Sequence, residues 1–240
     1  MKLKKFLNHN YSNYKKSECS IYYPRNKKDI LNLIDFAKQK RKKILPIGSG
    51  LSWYDTIFNT GNIIIDLSKF KKKFIFNKKK GELIISAQFK IKEIIHKLNK
   101  YNWSLYSIPG GDEVTIGGCI GNDVHGKDSF KYGNFSQNVI EIEVILPNKK
   151  TIRCSRTINR EIFRSVCGGL GLIGVITQVK LNLKPIAKFY QSVTIPNKDY
   201  KELIKNLYEN INEYDYINGW VDTYAKNKNL GKSIIFKSKK

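Results

Sequence analysis

The 240-residue sequence has no long apolar run, few cysteines and few acidic residues, and each shortage excludes a class of protein. No stretch approaches 18 consecutive apolar residues, so we expect no membrane-spanning helix. The basic start, MKLKKFLNHNYSNYKK, has no apolar segment behind it and is a poor signal peptide. The four cysteines are widely spaced without a C-x-x-C pair, which argues against a metal site and a disulfide framework. We therefore expect reduced thiols, no metal and a cytoplasmic location.

Acidic residues number 20 against 44 lysines and arginines, which leaves a formal net charge of +24. Such a charge is common in proteins that bind nucleic acids or anionic surfaces. Here lysine far outnumbers arginine and is spread along the chain, whereas a nucleic-acid groove favours arginine and stacking aromatic residues. We therefore expect a solvated basic surface and no nucleic-acid partner. With 41% hydrophobic residues, the composition is that of a globular protein.

Strand and helix patterns follow one another irregularly, which indicates an α+β fold. Apolar residues at helical spacing predict a helix that starts at Asn26 or Lys27, and two more at 90–101 and 198–211. A short helix is predicted after Asn159, its expected N-cap. The apolar runs predict strands at 42–47, 62–67, 82–88, 172–184, 216–224 and 232–236, a further strand just after 186, and two strands within 138–154.

Glycine is concentrated in three clusters beside predicted strands, at 46–52, 109–126 and 167–174. Glycine allows positive φ and lets backbone N–H groups converge on an anion such as a diphosphate. The sequence has neither the G-x-G-x-x-G that opens a helix after a strand in a Rossmann fold nor the P-loop pattern G-x-x-x-x-G-K-[ST]. A dinucleotide would therefore bind in a different fold. The alternative is that the three glycine clusters are ordinary tight turns with no ligand. The segment TIGGCIGNDVHGK (115–127) has so few side chains that we expect little contribution to the core.

Several motifs occur in an order and spacing that resemble a known family. They are PIGSGLS (46–52), NIIIDLS (62–68), IPGGDEVTIGGCIGNDVHGKDSFKYGNF (108–135) and GGLGLIGVITQVKLNLKPI (168–186). Together they resemble the FAD-binding domain of the vanillyl-alcohol oxidase and p-cresol methylhydroxylase superfamily, and most of all its decaprenylphosphoryl-ribose oxidase-like oxidoreductases. The resemblance implies an α+β fold with a leader at 1–21, a two-subdomain FAD-binding domain at 22–185 and an incomplete α+β substrate domain at 186–240.

The resemblance also implies contacts from a first pyrophosphate loop, a second phosphate loop, a segment along the flavin ring and a strand at the adenine end. These contacts fall on Ile47, Gly48, Ser49, Gly50, Leu51, Ser52 and Trp53, then Gly110, Thr115, Ile116, Gly117 and Gly118, then Asn122, His125 and Gly126, and finally Val175 and Ile176. His125 and Lys127 are the candidate catalytic residues, with His125 near the ring. The alternatives are that His125 makes a structural hydrogen bond that holds the loop and that Lys127 is a solvated surface residue.

Some family members bind flavin covalently through a histidine in the first loop or a cysteine before the threonine of the second. This sequence has Ser49 and Leu51 in the first loop and Glu113 before Thr115, so the resemblance implies non-covalent FAD. Cys119 is displaced from that position, and we expect it to pack in the core. Tyr54 stands where the subfamily has glycine, which adds bulk beside the first loop.

The resemblance implies an oxidoreductase of cell-envelope polysaccharide chemistry. It would oxidise an alcohol of a sugar or polyprenyl-phospho-sugar by hydride transfer to flavin N5. A lipid-linked substrate implies peripheral membrane contact, and a reductase partner is a further expectation. Because family members are longer than this chain, the alternative is a catalytically incomplete FAD-binding fragment or one half of a split enzyme.

Overall fold

The computed structural model describes residues 2–240 and shows an α+β fold, as predicted. The helices are α1 (Lys27–Gln39), α2 (Ile91–Asn99), α3 (Ile116–Gly121), α4 (Ser129–Tyr132), α5 (Arg160–Val166) and α6 (Tyr200–Tyr208). The strands are β1 (Lys4–His9), β2 (Lys16–Tyr22), β3 (Ile44–Ile47), β4 (Ile63–Asp66), β5 (Phe74–Asn77), β6 (Glu82–Ser86), β7 (Trp103–Leu105), β8 (Val139–Ile145), β9 (Thr151–Cys154), β10 (Val175–Pro185), β11 (Gln191–Asn197), β12 (Tyr216–Val221) and β13 (Ser233–Lys239).

The N-terminal lobe (residues 4–70) is a four-stranded sheet in the order β1-β2-β4-β3, covered by α1. β1 and β2 are antiparallel, whereas β4 lies parallel to both β2 and β3. The β4 side chains Ile63, Ile64 and Ile65 are all buried, because both faces of this central strand are covered. Ile63 and Ile65 join the main core with α1, and Ile64 lies on the opposite face with Cys19 and Ile21.

The central lobe (residues 74–185) is an antiparallel sheet in the order β5-β6-β10-β8-β9, with β7 paired to the end of β10. α2 packs its buried stripe, Ile91, Ile94 and Leu98, into the same core as α1, so the two lobes share one hydrophobic core. β10 ends at Pro185, as predicted. The C-terminal sheet follows, with β13 between β11 and β12 and α6 packed on it.

The structure corrects three expectations from the sequence. Most of the predicted leader is part of the fold, because β1 and β2 occupy most of residues 4–21 and β2 pairs with β4. Asn159 stands at the N-cap position of α5, as predicted, but its side chain does not cap the helix: its backbone is left-handed, and the side chain donates to the Arg153 carbonyl instead. The glycine-rich segment contains a helix, α3, whose Ile116, Cys119 and Ile120 are fully buried, so this segment does contribute to the core.

Candidate functional site

A cleft of about 520 Å³ lies between the N-terminal and central lobes. One wall is the face of the first sheet that carries Ile21 and Ile47, and the other is formed by the end of β6, α3 and the glycine-rich segment before β10. This volume lies in the range of small-molecule and cofactor sites. The lining combines apolar side chains with some residues from each of the three glycine clusters, as the sequence suggested for a ligand held by backbone.

The first glycine cluster presents unused backbone donors at the end of β3. Within residues 2–240, the N–H groups of Ser49 and Gly50 have no hydrogen-bond partner, and both residues line the cleft. Gly50 has φ +71°, a left-handed conformation that favours glycine. Successive free N–H groups around such a residue form a concave site for an anion. The observed geometry therefore suits the predicted diphosphate contact at this loop.

Close packing holds this loop against the segment before α3. A Cβ atom on Gly48 would lie only 2.2 Å from Thr115 Oγ1, so the space behind the loop is already filled. The Ser49 hydroxyl donates to the Glu113 carbonyl, and the Glu113 carboxylate pairs with Lys90 Nζ at 2.8 Å and with Lys92. Lys90 also lines the cleft, where an ammonium group favours an anionic ligand.

The second glycine segment forms the cleft wall, but its first N–H groups are already engaged. Ile116 N–H donates to Phe89 O and Gly117 N–H to Ala87 O, while Gly118 N–H donates to Thr115 Oγ1, the N-cap of α3. These three donors are therefore already used within the protein, and the second phosphate loop, at Gly110 and Thr115–Gly118, stays a prediction. Gly117 is not at positive φ either; it lets α3 approach Ala87, whose Cβ would lie 3.3 Å from a Cβ on Gly117.

The N-terminal strands contribute lining residues that the sequence analysis missed. Phe6, Asn8 and His9 of β1 line the cleft beside Tyr23. β1 and the residues after it also brace the first loop, because Asn8 donates to Ile57 O at 2.7 Å and Asn10 to Trp53 O at 2.7 Å. The only sequence signal was the alternation in KSECSIY (β2), whose Ser17, Cys19 and Ile21 are buried.

The structure places about half of the predicted cofactor contacts on the cleft. Those that line it are Ile47, Gly48, Ser49, Gly50, Thr115, Gly117, Gly118, Asn122 and Ile176. The other predicted contacts are absent from the lining among residues 2–240, namely Leu51, Ser52, Trp53, Gly110, Ile116, His125, Gly126 and Val175. Ser52 instead bonds Thr56 Oγ1 at 2.6 Å, and the Trp53 side chain is exposed.

The two candidate catalytic residues lie beyond the cleft. His125 and Lys127 are both exposed, and neither lines the cleft among residues 2–240. The Lys127 carbonyl accepts from Ile217 N–H at 2.8 Å, which ties this segment to β12 of the C-terminal sheet. Their catalytic roles stay predictions.

The two cysteines of the glycine clusters, Cys119 and Cys167, are poorly reactive thiols. Cys119 is fully buried in α3, and burial raises the pKa of its thiol to about 12. Cys167 follows α5, and burial, with a smaller contribution from Asp123, raises its thiol pKa to about 12 as well. Both groups are neutral thiols near pH 7 and poor nucleophiles. Cys119 packs in the core, as predicted.

A family model described as "FAD binding domain" matches residues 20–155, more than half of the chain. The chain belongs to this family of FAD-binding domains. FAD is therefore its cofactor, and the cleft fits it: the Ser49 and Gly50 N–H groups suit the diphosphate, and the apolar side chains suit planar rings. The resemblance to the p-cresol methylhydroxylase type of FAD-binding domain is confirmed.

The chain is similar to lactone oxidases and to a polyprenyl-phospho-sugar oxidase. It is 25% identical over 195 residues to mouse L-gulonolactone oxidase, covering 81% of this chain and 43% of the relative. It is 28% identical over 225 residues to D-arabinono-1,4-lactone oxidase of Debaryomyces hansenii, covering 87% and 39%. It is 22% identical over 202 residues to decaprenylphosphoryl-beta-D-ribose oxidase of Mycolicibacterium smegmatis, covering 83% and 44%. The chain spans less than half the length of these relatives.

Within residues 2–240, no helix combines the length and apolar composition needed to cross a bilayer.

Proposed function

We propose that this chain is the FAD-binding part of an oxidoreductase that oxidises an alcohol carbon of a sugar, a sugar lactone or a polyprenyl-phospho-sugar. The observation that carries the proposal is the cleft between the lobes, with free N–H groups at Ser49 and Gly50 in a chain of the FAD-binding family. The similarity to L-gulonolactone oxidase, D-arabinono-1,4-lactone oxidase and decaprenylphosphoryl-beta-D-ribose oxidase supports this substrate class.

Bound FAD would supply the acceptor for a hydride, which carries both electrons of the oxidation, from the substrate carbon. The chain's own residues hold the cofactor: Ser49 and Gly50 donate to the diphosphate, and Lys90 offsets its charge. Ile21 and Ile47 keep water from the apolar wall. His125, exposed beside the C-terminal sheet, is the proposed group that orients the substrate or the ring, and Lys127 the proposed partner of an anionic substrate.

A binding experiment tests the cofactor part of this proposal. The chain purified in the presence of FAD should be yellow, and acid precipitation should release all the flavin into the supernatant. Release is expected because Ser49 and Leu51 stand in the first loop and Cys119 is a buried neutral thiol. Flavin retained in the pellet would contradict non-covalent binding, and a colourless protein that cannot be loaded with FAD would contradict the proposal.

A panel of alcohols tests the substrate class. Anaerobic bleaching of the flavin would be followed with L-gulono-1,4-lactone, D-arabinono-1,4-lactone and a polyprenyl-phospho-ribose, with glycerol as the control. Bleaching by one of the first three, supported by a matching oxidised product, identifies the substrate. If none of them bleaches the flavin even in the presence of a polypeptide that supplies the rest of a relative's length, the proposed substrate class is wrong.

A second candidate function, an FAD-binding half that needs another polypeptide, is favoured by the C-terminal sheet. Trp220 is 75% exposed and Val221 52% exposed on β12, which is an edge strand of that sheet. In the larger relatives the chain aligns with less than half of the sequence. An uncovered flavin lacks the dry pocket that orients an alcohol.

We therefore predict little or no alcohol oxidation by this chain alone, even when it is loaded with FAD. Dithionite should reduce the flavin, and air should reoxidise it rapidly, because the part of the relatives with which this chain does not align would not be present to cover the ring. Rapid bleaching by one of the sugar alcohols, with this chain as the only protein, would contradict the prediction. The reductase partner, the peripheral membrane contact, the link to cell-envelope polysaccharide and the cytoplasmic location remain part of the proposal.

A further inference from the structure

An exposed aromatic patch is formed by the tip of the β1–β2 hairpin and the residues that follow the first glycine cluster. Its four side chains are each more than half exposed: Tyr11, Tyr14, Trp53 and Tyr54. The rings of Tyr11 and Trp53 contact each other edge to face, with their centroids 4.8 Å apart. Within residues 2–240, none of the four rings belongs to the hydrophobic core. Packing of the fold therefore does not account for this apolar surface.

Hydrogen bonds hold the two segments of the aromatic patch together. Tyr11 N–H donates to Ser52 O at 2.8 Å. The Trp53 carbonyl accepts from Asn10 Nδ2 at 2.7 Å and from Ser12 Oγ at 2.9 Å, and Asn10 is buried. The rings therefore stand on an ordered backbone, and a partner that covers them has little backbone entropy to remove.

The charges around the aromatic patch distinguish between a lipid and a protein partner. In the segments 4–22 and 49–55, the exposed charged side chains are four lysines and two acidic residues, namely Lys4, Lys5, Lys15, Lys16, Glu18 and Asp55. Lysine is depleted in protein–protein interfaces. Tryptophan and tyrosine among lysines are instead typical of surfaces that lie in the headgroup region of an anionic bilayer.

We propose that the aromatic patch docks on an anionic lipid bilayer, with its four rings among the headgroups and the neighbouring lysines over acidic lipids. Tyrosine and tryptophan suit this zone because each has an apolar body and a polar tip. His9 and Thr56, which flank the patch in the chain, line the cleft, so a docked chain would hold the cleft beside the bilayer. The proposal assigns a surface to the peripheral membrane contact of the proposed function, and it requires neither FAD nor a particular substrate.

Sedimentation of the full 240-residue chain with vesicles tests the proposal. The vesicles are phosphatidylcholine with or without phosphatidylglycerol. A net charge of +24 attracts the chain to anionic lipid by itself, so variants of equal charge are compared. The double variant Trp53→Ser with Tyr54→Ser should raise the Kd for anionic vesicles about tenfold. Trp220→Ser with Tyr224→Ser is the matched control, because it removes two equally exposed rings elsewhere, and it should change the Kd by less than about twofold.

A second pair of variants tests the lysines of the hairpin. Lys15→Gln with Lys16→Gln should raise the Kd for anionic vesicles at least about fivefold, because each lysine near the surface of such a bilayer contributes to binding. Lys79→Gln with Lys80→Gln changes the net charge equally at an exposed turn between β5 and β6, and it should have a smaller effect. Equal effects of the two pairs would show that only the net charge matters.

Quenching of tryptophan fluorescence by lipids brominated near the headgroup identifies the residue that enters the bilayer. Trp53→Phe and Trp220→Phe both keep an aromatic ring and differ in which exposed tryptophan remains. Bound vesicles should quench the wild type and Trp220→Phe, and should quench Trp53→Phe much less. Quenching that is lost in Trp220→Phe instead would overturn the proposal.

The remaining outcomes separate this proposal from its alternatives. Equal vesicle affinity of the two serine double variants would show adsorption by net charge alone and overturn the proposal. Self-association that Trp53→Ser with Tyr54→Ser abolishes, without vesicle binding, would make the patch a protein interface and also overturn it. If that double variant does not fold, the quenching of the two phenylalanine variants decides. A chain that binds vesicles through the patch but does not bind FAD would support this proposal and contradict the proposed function.

Discussion

At the scale of single residues, close packing between Gly48 and Thr115 holds the first loop against the start of α3. The Thr115 hydroxyl occupies the space that a Cβ atom on Gly48 would need. The same hydroxyl caps α3 by accepting from Gly118 N–H at 3.2 Å. One side chain therefore joins the first loop to the helix of the second glycine segment. A change at Gly48 must disturb either the loop or the cap.

We predict that Gly48→Ala weakens FAD binding at least tenfold and lowers the free energy of unfolding by about 1–2 kcal/mol, the usual cost of losing an N-cap. The added Cβ would lie 2.2 Å from Thr115 Oγ1, so the threonine must rotate away from α3 or the loop must move. Flavin titration and urea denaturation measure the two effects. Gly111→Ala is the control, because no atom lies within 4 Å of a Cβ built there. Equal behaviour of the two variants would contradict this packing argument.

At the scale of elements, an ion pair joins the helix of one lobe to a strand of the other. Lys27 at the start of α1 pairs with Glu143 of β8 at 2.8 Å, and Glu143 also accepts from Thr177 Oγ1 at 2.7 Å. Burial by itself raises the pKa of the Glu143 carboxyl, but the hydrogen bonds from Lys27 and Thr177 outweigh burial and hold the pKa below its ordinary value of 4.5. The charged form therefore stabilises the contact between the lobes.

We predict that Glu143→Gln lowers the free energy of unfolding at pH 7 by about 1 kcal/mol. Because the folded pKa of Glu143 lies below the unfolded one, its contribution is complete above pH 4.5 and is lost as the pH falls through the folded pKa. The difference between wild type and variant should therefore shrink below pH 4.5. Urea denaturation at several pH values measures it.

Glu141→Gln is the matched control on the same strand. Its partner, Arg153, is 64% exposed and lies 3.8 Å away, so this substitution should change stability by less than Glu143→Gln does. A difference between wild type and Glu143→Gln that stays constant from pH 7 to pH 3 would rule out the carboxylate as its source.

At the scale of the whole molecule, a buried lysine joins the central lobe to the C-terminal sheet. Lys184, near the end of β10, pairs with Asp128, and both side chains are less than a tenth exposed. The rings of Tyr106, Tyr132 and Tyr216 surround the ammonium group, with Tyr216 of β12 4.4 Å from it. Burial lowers the pKa of Lys184, although the hydrogen bond and charge of Asp128 oppose this effect.

We predict that Asp128→Asn lowers the free energy of unfolding by about 3–5 kcal/mol, because it leaves the Lys184 charge buried without its partner. The double variant Asp128→Asn with Lys184→Met should recover part of this loss, since removing both charges also removes the cost of burying them. Urea denaturation of the two variants and the wild type gives the comparison. If the double variant is no more stable than Asp128→Asn, the ion pair is not what makes Asp128 important.

Local patterns in the sequence were enough to predict much of the fold and the core of the site. α1 begins at Lys27, one of the two predicted starts, and Asn26 caps it by accepting from Asp29 N–H at 3.1 Å, a contact between residues three apart. The apolar run Ile63–Ile65 is the central strand β4, and the loop Gly48–Gly50 lies on the cleft. In each case the residues that determine the structure are neighbours in the chain.

The features that the sequence did not predict depend on residues far apart in the chain. β2 is a strand because Ser20 pairs with Ile63, about forty residues away, and β1 is mostly exposed and shows little apolar pattern. α3 forms despite its glycines because Thr115 caps it and Ala87 packs against Gly117.

The sequence by itself determined an α+β domain with glycine-rich, ligand-facing loops, because propensity, capping and periodicity act over a few residues. Only the tertiary structure decided which of those loops keep free N–H groups at the cleft, and that the N-terminal strands form part of its wall. The physical reason is that a donor or acceptor stays free only when no other segment of the folded chain places a partner within hydrogen-bond distance of it, and this depends on how distant segments pack.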